Sequence, residues 1–136
     1  MKVVKFGGSS LANGPQYQKA IDIIQADPQR KVIVTSAPGR RFAGDVKVTD
    51  LLIKYANQVI RHLDFSRTVQ QILQRYAAIA KHFQLASSQI NDIRHIIKNL
   101  PNHHYPNHDY LLAAFKAHGE RMNARLFTKV LNHLGI

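Results

Sequence analysis

Two short apolar runs, Val3-Val4-Lys5-Phe6 and Lys31-Val32-Ile33-Val34-Thr35-Ser36, are rich in β-branched residues and too short to be helices. That is the pattern of buried strands. Between them, Asn13-Gly14-Pro15 supplies turn chemistry with a proline suited to the first turn of a helix. From Tyr17 the apolar residues Ala20, Ile21 and Ile24 then keep helical spacing until Asp27-Pro28 stops the element. Strand, helix and strand, with both strands apolar throughout, make a βαβ unit and predict a parallel sheet covered on both faces. The expected fold class is α/β.

Beyond Ser36 the period changes. Ala37 to Asp45 is polar and glycine-punctuated, a loop, after which Leu52, Ala56, Val59, Ile60 and Leu63 form a helical stripe with Thr49 placed as its N-cap. Val69, Ile72, Leu73, Tyr76, Ile79, Ala80 and Phe83 make one face of a further helix. Ser87 or Ser88 is expected to cap another, which carries Ile90, Ile93, Ile96 and Ile97 up to Leu100-Pro101. After a polar connector from Asn102 to His108, a helix over Asp109 to His118 is expected to stop at Gly119, ahead of a last stripe of Leu126, Phe127, Val130, Leu131 and Leu134. Such stripes read as core or inter-helix packing, with a partner-binding groove as the other use these faces find. The chain is thus a parallel βαβ core followed by a mainly helical segment.

Composition narrows the classes. A chain of 136 residues with 45% apolar content suits one globular domain with a substantial core. It has no cysteine, so disulfide and thiolate chemistry are excluded and a reducing compartment fits. No run reaches membrane-spanning length and no leader pattern opens the chain, so the cytoplasm is the expected location and no membrane partner is expected. Lys and Arg number 19 against 8 Asp and Glu, a formal +11, which favours anionic partners. The cations are scattered singly apart from Arg30-Lys31 and Arg40-Arg41, with no basic run interleaved with aromatics. A small basic helical module that binds nucleic acid is therefore the competing class and not the leading one.

The candidate chemistry sits at the strand ends. The first strand closes on Gly7-Gly8, with Lys5 before the pair and Ser9-Ser10 after it. Glycines let a backbone approach a ligand closely, successive N–H groups form an anion-binding concavity, and a lysine adds a compact charge. Lys5 precedes the glycines, which separates the pattern from a Walker P-loop and from a dinucleotide fingerprint. An ordinary strand ending in a glycine turn has the same local pattern. Ligands of parallel sheets sit beyond the carboxyl ends of the strands, where Gly7-Gly8 and Ser36 both fall. Glu120 is the single glutamate of the chain. It reads either as a solvated carboxylate or as the acid that binds a substrate ammonium. The histidines His103, His104 and His108 match no defined ligand spacing, and no metal-binding residue is assigned.

Lys5-Phe6-Gly7-Gly8-Ser9-Ser10, Val34-Thr35-Ser36-Ala37-Pro38-Gly39, Lys47-Val48-Thr49-Asp50-Leu51-Leu52 and His118-Gly119-Glu120, in this order and spacing, resemble the N-terminal part of the aspartate kinases, members of the amino acid kinase family. The resemblance spans Met1 to Ile136. It implies that residues 1–136 are the N-terminal part of an amino acid kinase catalytic domain, without the nucleotide half and the ACT regulatory domains. It implies further that Lys5 is catalytic and contacts the ATP phosphates, and that the backbone of Gly7, Gly8 and Ser9 holds the transferring phosphoryl group. Ser36 matches a substrate-side hydroxyl, and Thr49 and Glu120 match aspartate-binding residues. ATP with Mg2+ and L-aspartate are the implied partners, 4-phospho-L-aspartate the product, and lysine, threonine and methionine the pathway ends. The full-length enzyme would be a homo-oligomer, and nucleic acid is not an expected partner. The chemistry is compatible, because phosphoryl transfer asks mainly for positioning and positive charge while the substrate carboxylate is its own nucleophile. The chain alone is expected to be inactive. A two-stranded parallel sheet is also expected to leave edges exposed, favouring low stability or self-association.

Overall fold

The computed structural model describes residues 1–136. Strands β1 (Lys2–Phe6) and β2 (Arg30–Thr35) pair in parallel, with Val3 opposite Val32, Lys5 opposite Val34 and Phe6 opposite Thr35. Helix α1 (Gly14–Gln25) makes the crossover, its first turn capped by the Asn13 side chain, which accepts from the Gln16 N–H. The βαβ unit is the one the spacing predicts.

Four helices follow: α2 (Val48–Ile60), α3 (Ser66–His82), α4 (Asn91–Lys98) and α5 (His108–His133). The long α5 packs along α2 and touches β2, while α3 packs against α1 and α2. Phe127 of α5 stacks on Phe6 of β1, ring centroids 6.5 Å apart, and meets Tyr17 of α1 at 5.1 Å. These contacts put α1 and α5 on one face of the sheet.

The sheet is covered on that face alone. Val4, Phe6 and Ile33 pack against the core, whereas Val3, Val32 and Val34 stay 66%, 40% and 43% exposed. Successive strand residues alternate faces, so an all-apolar strand presents a second apolar set whether or not anything covers it. The expectation of two covered faces is corrected accordingly.

Three local expectations also change. Helix α5 runs unbroken through Gly119, which is no stop. Helix α2 begins at Val48 with Lys47 in the cap position, and the Val48 N–H donates to Pro38 O at 3.1 Å. Thr49 is therefore in the first turn and caps nothing, because the helix begins before it and the Leu51 N–H, which a cap at 49 would take, donates to Lys47 O at 3.1 Å. Ser87 and Ser88 lie in a 3-10 turn, Ser87–Ile90, ahead of α4. There Gln89 Oε1 accepts from the Ala86 N–H, and the Ser87 carbonyl and hydroxyl accept from Arg94.

Candidate functional site

The two strand ends are locked together by their backbones. Gly39, just beyond β2, donates its N–H to Gly8 O at 2.8 Å. A Cβ at Gly39 would lie 2.6 Å from Gly8 C and 2.8 Å from Ser9 N, so only glycine permits this approach. Continuing the strand ladder would take the Gly8 N–H to Ser36 O, but Asn123 Nδ2 occupies that carbonyl at 2.6 Å. The Gly7 and Gly8 amides donate to no backbone carbonyl. They stay available to an anion at the loop.

A cleft of about 420 Å³ opens over this junction, lined by Gly8, Ser9, Ser36, Ala37, Pro38, Gly39, Arg40, Lys47 and Thr49. A second, of about 370 Å³, is lined by Ser36, Ala37, Thr49, Ala113, Lys116, Ala117 and Glu120. They share Ser36, Ala37 and Thr49, so one groove runs from the glycine loop to Glu120. Arg40 and Lys47 make one end cationic, and Glu120 is the only carboxylate among the lining residues. Larger concavities on α2 and between α3 and α4, about 470 and 490 Å³, contain none of the seven candidate site residues Lys5, Gly7, Gly8, Ser9, Ser36, Thr49 and Glu120.

Gly8, Ser9, Ser36, Thr49 and Glu120 are thus brought together. Lys5 and Gly7 do not line the groove. Lys5 is exposed on the open face of the sheet, opposite Val34 at the carboxyl end of β1, and Gly7 is an exposed residue at the loop tip. The connector histidines form no metal cluster; the fold gathers no group of three or more His, Asp or Glu that could hold a metal ion. No helix is long and apolar enough to cross a membrane.

Three buried features hold the groove in shape. Asn123, one turn beyond Glu120 on α5, is fully buried; it accepts from the Tyr17 hydroxyl and donates to Ser36 O. Burial pushes the Tyr17 phenol well above its ordinary pKa, so it remains a proton donor. Gly119 lets α5 approach closely, since a Cβ there would sit 2.9 Å from Ala37 Cβ and 3.0 Å from Leu52 Cδ1. Arg75, buried on α3, donates to Gly39 O and, at 2.7 Å, to Val46 O. It also lies 3.8 Å from Asp45, whose carboxylate is gripped by the Arg41 guanidinium at 2.8 and 3.0 Å. Those hydrogen bonds from Arg41 hold the Asp45 carboxyl well below the usual carboxylate range.

Sequence reasoning missed Arg75 and Asn123, although a signal existed for both. Each is a polar residue inside an apolar stripe, Arg75 between Ile72 and Ile79 and Asn123 between Met122 and Leu126. Arg40, Lys47 and Lys116 carried no signal beyond charge.

The amino acid kinase family profile matches residues 1–136. The chain is 43% identical over all of its 136 residues to aspartokinase 3 of Bacillus subtilis, of which it covers 30%. Among solved structures, the aspartate kinase of Clostridium acetobutylicum superposes with a TM-score of 0.82 at 35% identity, over 96% of this chain and 29% of that one. Escherichia coli aspartokinase III in complex with aspartate and ADP superposes at 0.71 with 23% identity, over 98% of this chain and 29% of that one, a likeness of fold. The chain therefore spans less than a third of the length of these proteins.

Proposed function

The chain belongs to the amino acid kinase family, and from that premise we propose that residues 1–136 are the N-terminal part of an aspartate kinase catalytic domain. The reaction is transfer of the γ-phosphoryl group of ATP to the side-chain carboxylate of L-aspartate, giving ADP and 4-phospho-L-aspartate, the entry step to lysine, threonine and methionine, in the cytoplasm. The observation that carries the reading is the continuous groove, in which Ser36 and Thr49 line both arms, between the cationic end and Glu120. The aspartate and ADP held by the Escherichia coli aspartokinase III structure agree with it.

In this reading Gly8 and Ser9, which line the groove, and Gly7 at the loop tip offer backbone amides to the phosphoryl oxygens, while Arg40 and Lys47 supply positive charge. Lys5, which lies on the open face of the sheet outside the groove, is assigned to the phosphates by the family resemblance alone. Glu120 takes the aspartate ammonium, and the hydroxyls of Ser36 and Thr49 meet its carboxylates. An oxygen of the acceptor side chain attacks phosphorus as the bond to the ADP oxygen breaks, so no residue of the chain becomes covalently modified. Mg2+ supplies neutralisation of phosphate charge, and a groove with several cations and one carboxylate fits a metal carried on the nucleotide better than one caged by protein.

A chimera tests this. Residues 1–136 replace the matching segment of Bacillus subtilis aspartokinase 3, and ADP release is followed with and without L-aspartate. Aspartate-dependent turnover is expected, with Glu120→Gln raising the aspartate KM on the order of tenfold or more. A folded chimera without aspartate-dependent turnover, beside an active parent, refutes the assignment.

A further inference from the structure

We propose that Arg75 is a positioning residue whose guanidinium fork holds both ends of the Gly39–Val46 loop against the glycine loop, and so sets where Arg40 and Lys47 meet an anionic ligand. The ligand part rests on the phosphate end of the reading above; the loop part stands on geometry alone.

Arg75 is 4% exposed on α3, a position where packing by itself calls for an aliphatic residue. Its two terminal nitrogens divide between separate points of the loop. One donates to Gly39 O and the other to Val46 O at 2.7 Å, the latter also facing Asp45 Oδ2 at 3.8 Å. Gly39 then passes the constraint on, since its N–H donates to Gly8 O at 2.8 Å. One residue thus connects a helix outside the groove to the glycine loop inside it. The far end of the loop is closed by Arg41, whose N–H and side chain both donate to Asp45. Between these two closures stands Arg40, with Lys47 just past the second, and both line the cationic end. A planar fork reaches two acceptors at once; an ammonium on a flexible stem is a point charge and cannot hold both in one geometry. Asp45 is shared by two guanidinium groups, so it neutralises one charge and leaves a positive surplus beneath the loop.

The test uses the 136-residue chain as wild type, Arg75→Lys and Arg75→Met. Amide hydrogen exchange is read at Gly39, Asp45 and Val48, which donate to Gly8 O, Phe42 O and Pro38 O, against buried amides of α5 as control. Tripolyphosphate is titrated by calorimetry. In both variants the loop amides are expected to exchange on the order of tenfold faster with α5 unchanged, and tripolyphosphate to bind about tenfold more weakly. Unchanged loop protection overturns the lock, as does equal acceleration of loop and α5, which would make Arg75 a support of the whole fold. Wild-type protection in Arg75→Lys but not in Arg75→Met overturns the fork in favour of bare charge. A loosened loop with unaltered tripolyphosphate affinity overturns the link to the ligand. A wild-type chain that binds no tripolyphosphate refutes the phosphate reading, and the exchange data then decide the lock by themselves.

Discussion

Gly119→Ala sets two effects of known size against each other. Alanine in a helix interior is favoured over glycine by about 1 kcal/mol, and Gly119 lies well inside α5, so propensity predicts a more stable protein. The new Cβ, however, would sit 2.9 Å from Ala37 Cβ and 3.0 Å from Leu52 Cδ1. Relaxed carbon contacts are about 3.5–4.0 Å, so both partners must give. Leu52 is fully buried, and Ala37 lies between Ser36, held by Asn123, and Gly39, held by Gly8 and Arg75. Overpacking of this kind costs about 1–3 kcal/mol and so outweighs the propensity gain. The net expectation is a loss of about 1 kcal/mol, or about 3 °C in Tm for a chain of this length. A double-mutant cycle with Ala37→Gly isolates the cause. Removing the Ala37 methyl opens the tighter contact, so Gly119→Ala should cost less in that background, with a coupling of about 1 kcal/mol. The assay is thermal and urea unfolding of the four chains. A Gly119→Ala chain more stable than wild type, with additive effects in the cycle, would refute close approach as the reason for glycine here.

Asn123→Leu should destabilise by about 2–4 kcal/mol in urea, because it leaves the Tyr17 hydroxyl and Ser36 carbonyl without their buried partner; a loss below about 0.5 kcal/mol would show the bridge to be idle. Asp45 has its pKa lowered in the folded state, chiefly by the Arg41 side-chain hydrogen bond, so the unfolded chain binds its proton more readily. Its stabilisation is present above the unfolded carboxylate value of about 4 and is lost as pH falls below it, so the Tm gap between wild type and Asp45→Asn should narrow from pH 6 down to about pH 2. A gap independent of pH contradicts that account. In the chimera, Lys5→Ala should lower turnover by about 10²–10³ with the aspartate KM nearly unchanged; wild-type turnover would remove Lys5 from the phosphate site.

The βαβ unit and the helical stripes were legible because each rests on a local period that burial enforces. Val4, Phe6 and Ile33 needed a core, and their spacing said so. What failed was decided by residues far away in the chain. Gly119 reads as a helix stop because glycine is a poor helix former, yet its reason is Ala37, 82 positions earlier, against which α5 lies. Thr49 reads as a cap because a hydroxyl suits that place, but the Pro38 carbonyl takes the Val48 N–H across the loop and the helix begins ahead of Thr49. The uncovered valines of the sheet were equally invisible, since an apolar strand announces burial without saying how many of its faces find a partner.

The site was legible in its members and not in its supports. Glycines, hydroxyls and the single glutamate attract notice because their chemistry stands out, and the fold gathers five of the seven along one groove. Arg75 and Asn123 sit where an apolar residue would serve packing better, and burying a polar group costs free energy unless its partners are in place. Those partners are the carbonyls of Gly39, Val46 and Ser36, all on the backbone that frames the groove. A polar residue set into an apolar stripe was therefore the signal for the framing of the site that the sequence held and that went unread. In chains of this kind such interruptions identify the segments whose backbone must be held still.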